Sequence, residues 1–249
     1  MGELSLDDRN IASVLARCAD DLTLVCRLHD REPDADLLSE LSGIDPRQWF
    51  SLQVAGPDAE AGLSLLGTFF ETCIATQQQG NDPSEELAAE YADLYLTFGK
   101  RLAPNESYWL TDDHLERQEP MFAVRRWYAH YGLSARNWRI RADDHLVNEM
   151  EFVSLLLRDG RPHAVLDAGK FLDMHLMRWS QDFLGGIVQR TSSQYFAGLA
   201  LVTEALLQSV RKVLETVTGT PRQEPKPATG MAAASGPEER YLPGVQPGW

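Results

Sequence analysis

Apolar residues recur every three to four positions along most of this 249-residue chain, and that spacing limits its fold more than any other feature. It places the apolar side chains on one face of a helix with about 3.6 residues per turn. Sustained strand-like alternation is missing, so we predict a single all-α globular domain of about eight or more helices. The eight apolar runs lie within residues 11–25, 37–41, 63–73, 87–98, 121–131, 146–157, 168–183 and 199–217.

The composition and the apolar spacing of the chain change at Thr218. From there on, six prolines stand among glycines and alanines, and the apolar periodicity stops. We therefore predict a helical domain over residues 1–217 and a flexible Pro/Gly-rich tail over residues 218–249. The tail holds three basic and three acidic residues, so the whole net charge of −14 belongs to the helical part.

This charge and the composition exclude several classes of protein. With 37 acidic against 23 basic residues, the chain lacks the positive excess that duplex nucleic acid requires. An acidic surface suits cationic partners or merely keeps a protein soluble, and composition leaves both open. No apolar run approaches the ~20 residues of a membrane span, and the first residues lack a secretory signal. The three cysteines form no CxxC pair, so we expect neither a disulfide framework nor a thiolate zinc site. Together with the missing membrane span and signal, this predicts a soluble cytoplasmic protein.

Signatures of catalysis are also missing. Two Gly-Lys pairs, at Gly99 and Gly169, lack the glycine that a phosphate-binding loop carries five positions earlier. The motifs of serine hydrolases, zinc proteases and EF-hands are not found. We therefore expect no enzymatic activity and no resident cofactor.

The segment Asp-Asp-His-Leu occurs twice, beginning at Asp112 and at Asp143. In one interpretation Asp144, His145 and Glu149 bind a metal ion together with His114, as hard oxygen and imidazole ligands do. In the other, Asp144 caps the helix that follows, where its carboxylate accepts a backbone N–H, and the helix dipole keeps His145 neutral. We favour the cap.

Two further segments have alternative interpretations. Residues 104–109 form a polar turn with two adjacent aromatic side chains, which suit either the anchoring of a peptide or the closing of the core edge. The Arg125-Arg126 pair lies within a helical run, so we interpret it as a solvated helix face.

Four segments in order resemble the redox-enzyme maturation chaperones typified by TorD, DmsD and NarJ, and together they cover roughly residues 10–210. The most specific of the four is the segment from Trp138 to His145. The family motif there reads aromatic residue, two residues, acidic residue, proline, any residue, Asp-His, and in this chain Arg141 and Ala142 replace the acidic residue and the proline. The segments are Glu32-Pro33-Asp34 with Leu37, Leu38 and Leu41; Tyr91, Leu94 and Tyr95 leading to Pro104, Glu106, Ser107 and Trp109; Trp138 with Asp144-His145; and His175-Leu176 with Trp179 and Phe183.

The resemblance implies an all-helical cytoplasmic chaperone, monomeric or homodimeric, without catalysis. It implies binding of the catalytic subunit of a molybdopterin-containing oxidoreductase, often through its twin-arginine signal peptide, until the cofactor is inserted and premature export is avoided. No nucleic acid and no stable membrane insertion are expected.

An acidic rim and an apolar groove would suit such a peptide, which pairs arginines with an apolar stretch. The candidate residues for contacting the peptide or fixing the loops are Asp144, His145, Trp138, Trp109, Tyr108, Ser107, Glu106 and Tyr95. Two alternatives stay open, an all-α metal-dependent hydrolase that uses the Asp-Asp-His segments and an acidic adaptor for an unrelated basic protein.

Overall fold

Helices account for the regular structure of the chain in a computed structural model that describes residues 6–78, 83–136 and 138–223. The described residues form ten α-helices and no strand, apart from one isolated β-bridge. The helices are α1 Leu6–Asp30, α2 Ala35–Leu41, α3 Pro57–Gln78, α4 Ser84–Tyr91, α5 Glu106–Leu110, α6 Glu119–His130, α7 Leu146–Asp159, α8 Pro162–Met174, α9 Ser180–Arg190 and α10 Gln194–Thr218. The prediction of a single all-α domain is confirmed.

Local sequence signals set several of these ends. Asp34 caps α2, because its carboxylate accepts the backbone N–H of Leu37 at 2.8 Å. Ser193 caps α10 in the same way. Gly160 and Gly219 end α7 and α10 with φ of +66° and +67°, a left-handed conformation that glycine adopts without steric cost.

Two differences from the predicted elements account for ten helices instead of eight. The run over residues 168–183 is not one helix: it breaks at His175 (φ −126°, ψ −89°), and a 3₁₀ turn, Leu176–Arg178, separates α8 from α9. Leu176 and Trp179 remain buried across the break, so the three-to-four spacing hides it. The predicted polar turn at residues 104–109 contains a short helix, α5.

The long helices build one hydrophobic core. α10 packs against α3, α9, α8 and α1, while α7 packs against α1 and α8. The largest fully buried side chains are aromatic, among them Trp179, Tyr195 and Phe171. None of the helices in the part of the chain that the structure describes is both long and apolar enough to cross a bilayer.

The packed chain extends beyond the predicted boundary at 217/218. Arg211, which is buried, pairs with Asp173 through two hydrogen bonds of 2.7 and 2.8 Å and also contacts the carbonyl of Thr220. The backbone N–H of Gln223 donates to the same Asp173 carboxylate at 2.9 Å. Residues 219–223 are thus fixed against α8 and α10, and the rest of the predicted tail lies outside the described residues.

Candidate functional site

Two loops that carry family-like motifs meet at the start of α5 and α7. The N–H of Leu146 donates to the carbonyl of Pro104 at 2.8 Å, and the N–H of Glu106 donates to the carbonyl of Asp144 at 2.9 Å. Asn105 and His145 form the isolated bridge between them. Segments about 40 residues apart in sequence are thereby held side by side.

Asp144 is fully buried and joins the two loops through Ser107. One carboxylate oxygen, Oδ2, accepts the backbone N–H of Ser107 at 2.7 Å and the hydroxyl of the same residue. The Ser107 hydroxyl also accepts the N–H of Gln118 at 3.2 Å, which ties in the segment before α6. Burial raises the pKa of Asp144 to about 6, against the lowering effect of the Ser107 hydrogen bonds.

The prediction that Asp144 caps its own helix is wrong. It satisfies an N–H in the first turn of α5, whereas α7 is capped by His145, whose Nδ1 accepts the N–H of Val147 at 3.2 Å. Asp144 therefore caps a neighbouring helix, which spacing along the chain does not reveal. Burial lowers the pKa of His145 well below its ordinary value, and the nearby Arg141 cation lowers it further, so the ring is neutral.

A second buried carboxyl network lies beneath this junction. His175 Nδ1 contacts both carboxylate oxygens of Glu106 at 3.1 and 3.0 Å, and the indole N–H of Trp179 donates to Glu149 at 3.2 Å. Burial raises the pKa of Glu149 well above its ordinary value, and the negative charges of Glu106 and Asp144 add to the effect. The network therefore favours a protonated Glu149.

Tyr95 belongs to a different part of the core. Its hydroxyl lies 2.6 Å from Nδ1 of His29, whose Nε2 lies 2.9 Å from the hydroxyl of Thr203. Burial lowers the pKa of His29 to about 3, so this histidine is neutral. His29 of α1 therefore bridges Tyr95 to Thr203 of α10, and Tyr95 is buried rather than part of a surface.

The other three aromatic candidates, Tyr108, Trp109 and Trp138, are at least partly exposed. Trp109 donates its indole N–H to the carbonyl of Ala103 at 2.8 Å. Tyr108 packs edge-on against Trp109 and Phe98, with ring centroids 5.2 and 5.1 Å away. Trp138 is half exposed on the loop before α7. The structure thus brings Glu106, Ser107, Asp144 and His145 together in the interior, with Tyr108 and Trp109 at its edge.

Sequence reasoning missed the role of Arg125. Its Nε and Nη2 donate to one carboxylate oxygen of the buried Asp143 at 3.0 and 2.6 Å, while the residue stays exposed, as predicted for a solvated face of α6. Arg126, which is exposed, also lies on the solvated face and pairs with Glu119. The spacing along the chain gives no signal of the Arg125–Asp143 pair.

Arg141, where the family-like motif has an acidic residue, binds the end of α1. It donates to the carboxylate and to the backbone carbonyl of Asp30. The loop before α7 is therefore attached to α1 by a contact that an acidic side chain at this position would not make.

The Asp-Asp-His segments do not converge on a metal site. His114 is exposed and contacts the carbonyl of Tyr108 at 2.9 Å, whereas Asp144 and His145 are buried in the network above. Within the described ranges, no group of three His, Cys, Asp or Glu side chains is arranged to hold a metal ion. The metal-dependent hydrolase therefore lacks a set of ligands in the part of the chain that the structure describes.

Comparison with known proteins gives a consistent assignment. Residues 56–185, more than half of the chain, match the family model described as nitrate reductase delta subunit. The chain is 27% identical over 191 residues to the chaperone protein TorD of Escherichia coli O139:H28, covering 74% of this chain and 90% of that protein. It is 26% identical over 190 residues to the chaperone protein TorD of Shigella dysenteriae serotype 1, covering 74% and 89%. The chain therefore belongs to the nitrate reductase delta subunit family and is a TorD-type maturation chaperone rather than an enzyme.

Proposed function

We propose that this chaperone binds the catalytic subunit of a molybdopterin-containing oxidoreductase in the cytoplasm, through the twin-arginine signal peptide of that subunit. It holds the subunit until the cofactor is inserted and so delays export. Family membership carries the proposal, since the matched region includes both loops that form the buried junction.

The surface over that junction supports a peptide-binding role. Tyr108 and Trp109 are partly exposed, and the exposed Asp112 and Asp113 follow them on a loop whose His114 contacts the Tyr108 ring. A signal peptide offers arginines next to an apolar stretch, so this pairing of aromatic and acidic side chains matches it. Rigid aromatic side chains also lose little entropy on binding, which suits them as anchors.

The buried candidates act by holding this surface in place. Asp144 fixes the first turn of α5, and α5 carries Tyr108 and Trp109. Glu106 fixes the same helix through His175. In this conformation, Asp144 does not meet a client arginine directly, because its side chain is fully buried.

Calorimetric titration with a synthetic twin-arginine signal peptide tests the proposal. The peptide is taken from a molybdoenzyme subunit that co-purifies with the chaperone, and a twin-lysine version serves as the matched control. We expect binding that weakens with salt and weakens about tenfold in Tyr108→Ala or in the double variant Asp112→Asn, Asp113→Asn.

Variants of Asp144 test whether this residue positions α5 or contacts the peptide itself. Asp144→Ala removes the cap of α5 and should weaken binding, whereas Asp144→Asn keeps a hydrogen-bond acceptor and should bind nearly as the unsubstituted protein does. Unchanged affinity in folded Asp144→Ala and Tyr108→Ala proteins would show that the peptide binds elsewhere.

A further inference from the structure

A continuous surface of arginine and aromatic side chains lies beside the buried junction. The Arg125 guanidinium lies 5.4 Å from the ring centroid of Phe122 and 5.9 Å from that of Trp138. Arg139 stacks on Trp138 at 5.4 Å, and Arg117 donates to the backbone carbonyl of Arg139 at 3.0 Å. We call these five residues the arginine–aromatic surface.

This surface exposes unusual apolar area. Phe122 is 42% exposed and Trp138 is 51% exposed, and Ile140, next along the loop, is 86% exposed. Tryptophan and arginine are the residues most enriched at the energetic centres of protein interfaces. Large aromatic side chains left in water around one guanidinium group therefore indicate a binding surface rather than a solvated loop.

The charge of the surface is opposite to that of the protein. The surface itself carries three arginines, and Asp143 pairs with Arg125, so the charges of Arg117 and Arg139 remain in a chain whose net charge is −14. Arg126 and Arg141 are already paired with Glu119 and Asp30. For Arg117 and Arg139, no carboxylate among the described residues lies within salt-bridge distance, so these two guanidinium groups are open to a partner.

Two features hold the arginines in place before any partner arrives. Arg125 is fixed by two hydrogen bonds to the buried Asp143. Arg117 adopts φ +62°, a left-handed conformation that costs a non-glycine residue energy and that its bond to the Arg139 carbonyl helps to retain. Side chains held in this way lose less entropy when they bind, which favours a specific contact.

We propose that the arginine–aromatic surface binds an acidic segment of a protein partner. Carboxylates of the segment would pair with Arg117 and Arg139, and its apolar side chains would cover Phe122 and Trp138. A twin-arginine peptide has the wrong charge for this surface, so the contact is distinct from the proposed signal-peptide contact and does not rest on it. A nucleic acid is disfavoured, because the excess negative charge of the rest of the molecule repels a phosphate backbone.

Fluorescence anisotropy on the full-length protein tests the proposal. The probe is a labelled twelve-residue peptide in which Asp and Glu alternate with Leu and Phe; a peptide with Lys in place of each acid and a labelled single-stranded oligonucleotide are the comparison ligands. We expect saturable binding of the acidic peptide alone, weakened by added salt. Tighter binding of the lysine peptide or of the oligonucleotide would overturn the proposal, as would no binding at all.

Variants locate the contact. Arg139→Glu and Trp138→Ala should each weaken binding of the acidic peptide about tenfold, because each removes one element of the surface. Arg27→Glu is the matched control, since it makes the same charge change on α1, where Arg27 pairs with Glu40. Its effect should stay within about twofold. Equal losses in Arg139→Glu and Arg27→Glu, or an unchanged affinity in Trp138→Ala, would contradict a local surface.

Discussion

Burial of the Asp144 carboxyl makes the free energy of unfolding depend on pH. Its pKa of about 6 lies above the value of 3.8 for an unperturbed aspartate, so the folded state binds this proton more tightly than the unfolded state. The stabilising contribution is full below about pH 4 and is lost as the pH rises through 6. The folded protein therefore carries an energetic cost at this residue at neutral pH.

Asp144→Asn tests that sign. Because asparagine stays neutral, the free energy of unfolding of the unsubstituted protein should fall relative to that of the variant by on the order of 1–2 kcal/mol between pH 5 and pH 7.5. Urea denaturation at several pH values measures the difference. Parallel pH profiles for the two proteins would show that Asp144 titrates as an ordinary exposed aspartate.

Ser107 is the residue that joins three segments through one side chain. Its hydroxyl donates to Asp144 and accepts from the N–H of Gln118, so Ser107→Ala leaves both groups short of a partner. We expect a loss of about 1–3 kcal/mol in the free energy of unfolding. Ser64→Ala, at an exposed position of α3, should change it by less than about 0.5 kcal/mol. Similar small changes in both variants would mean that the Ser107 hydrogen bonds make no net contribution to the free energy of unfolding.

At this scale, the sequence predicts that several residues lie in one region but not which groups they contact. Glu106, Ser107, Asp144 and His145 were expected in one region, and they do meet there. Their partners were not foreseen, because Glu106 and His175 are 69 positions apart and no local spacing links them. The same holds for Arg125, whose pairing with Asp143 depends on how α6 packs.

At the scale of elements, α3 and α10 approach closely where two glycines face each other. A Cβ added at Gly198 would lie 2.8 Å from the carbonyl oxygen of Gly62, and one added at Gly62 would lie 2.9 Å from the carbonyl oxygen of Gly198. Both distances are shorter than van der Waals contact, so a side chain at either position would force the helices apart.

Gly198→Ala and Gly62→Ala should therefore each destabilise the protein by about 1–3 kcal/mol, despite the better helix propensity of alanine. Gly67→Ala is the matched control on α3, because its added Cβ would meet nothing within 4 Å. It should be neutral or stabilise by up to about 1 kcal/mol. Thermal denaturation compares the three variants, and a destabilised Gly67→Ala with a neutral Gly198→Ala would refute the close approach.

The apolar spacing was enough to predict the long helices, because burial of one face decides them. It did not reveal the break between α8 and α9, where Leu176 and Trp179 keep the same spacing in a different conformation. It also passed over α5, which has five residues and is held by Asp144 from another part of the chain.

At the scale of the whole molecule, the end of α10 is part of the packed structure. A chain truncated after residue 223 should retain the unfolding temperature of the full-length protein, because the contacts of Thr220 and Gln223 with Arg211 and Asp173 remain. A chain truncated after residue 217 loses these contacts and the end of α10, so its unfolding temperature should fall by several degrees. Equal unfolding temperatures for the two truncations would show that residues 218–223 contribute nothing.

Charge is distributed unevenly over the molecule, and the net value conceals this. The composition indicates an acidic surface that suits either a cationic partner or only solubility, and the exposed Asp112 and Asp113 follow Tyr108 and Trp109 in the chain. The arginine–aromatic surface has the opposite sign. The two surfaces therefore suit different segments, one basic and one acidic.

Affinity capture of the tagged full-length chaperone from native cells, followed by quantitative mass spectrometry, tests the central claim most directly. We predict strong enrichment of a molybdopterin oxidoreductase catalytic subunit that still carries its twin-arginine leader, and loss of that enrichment in the Tyr108→Ala variant. Recovery of the chaperone without any such subunit, or equal recovery by the variant, would contradict the account.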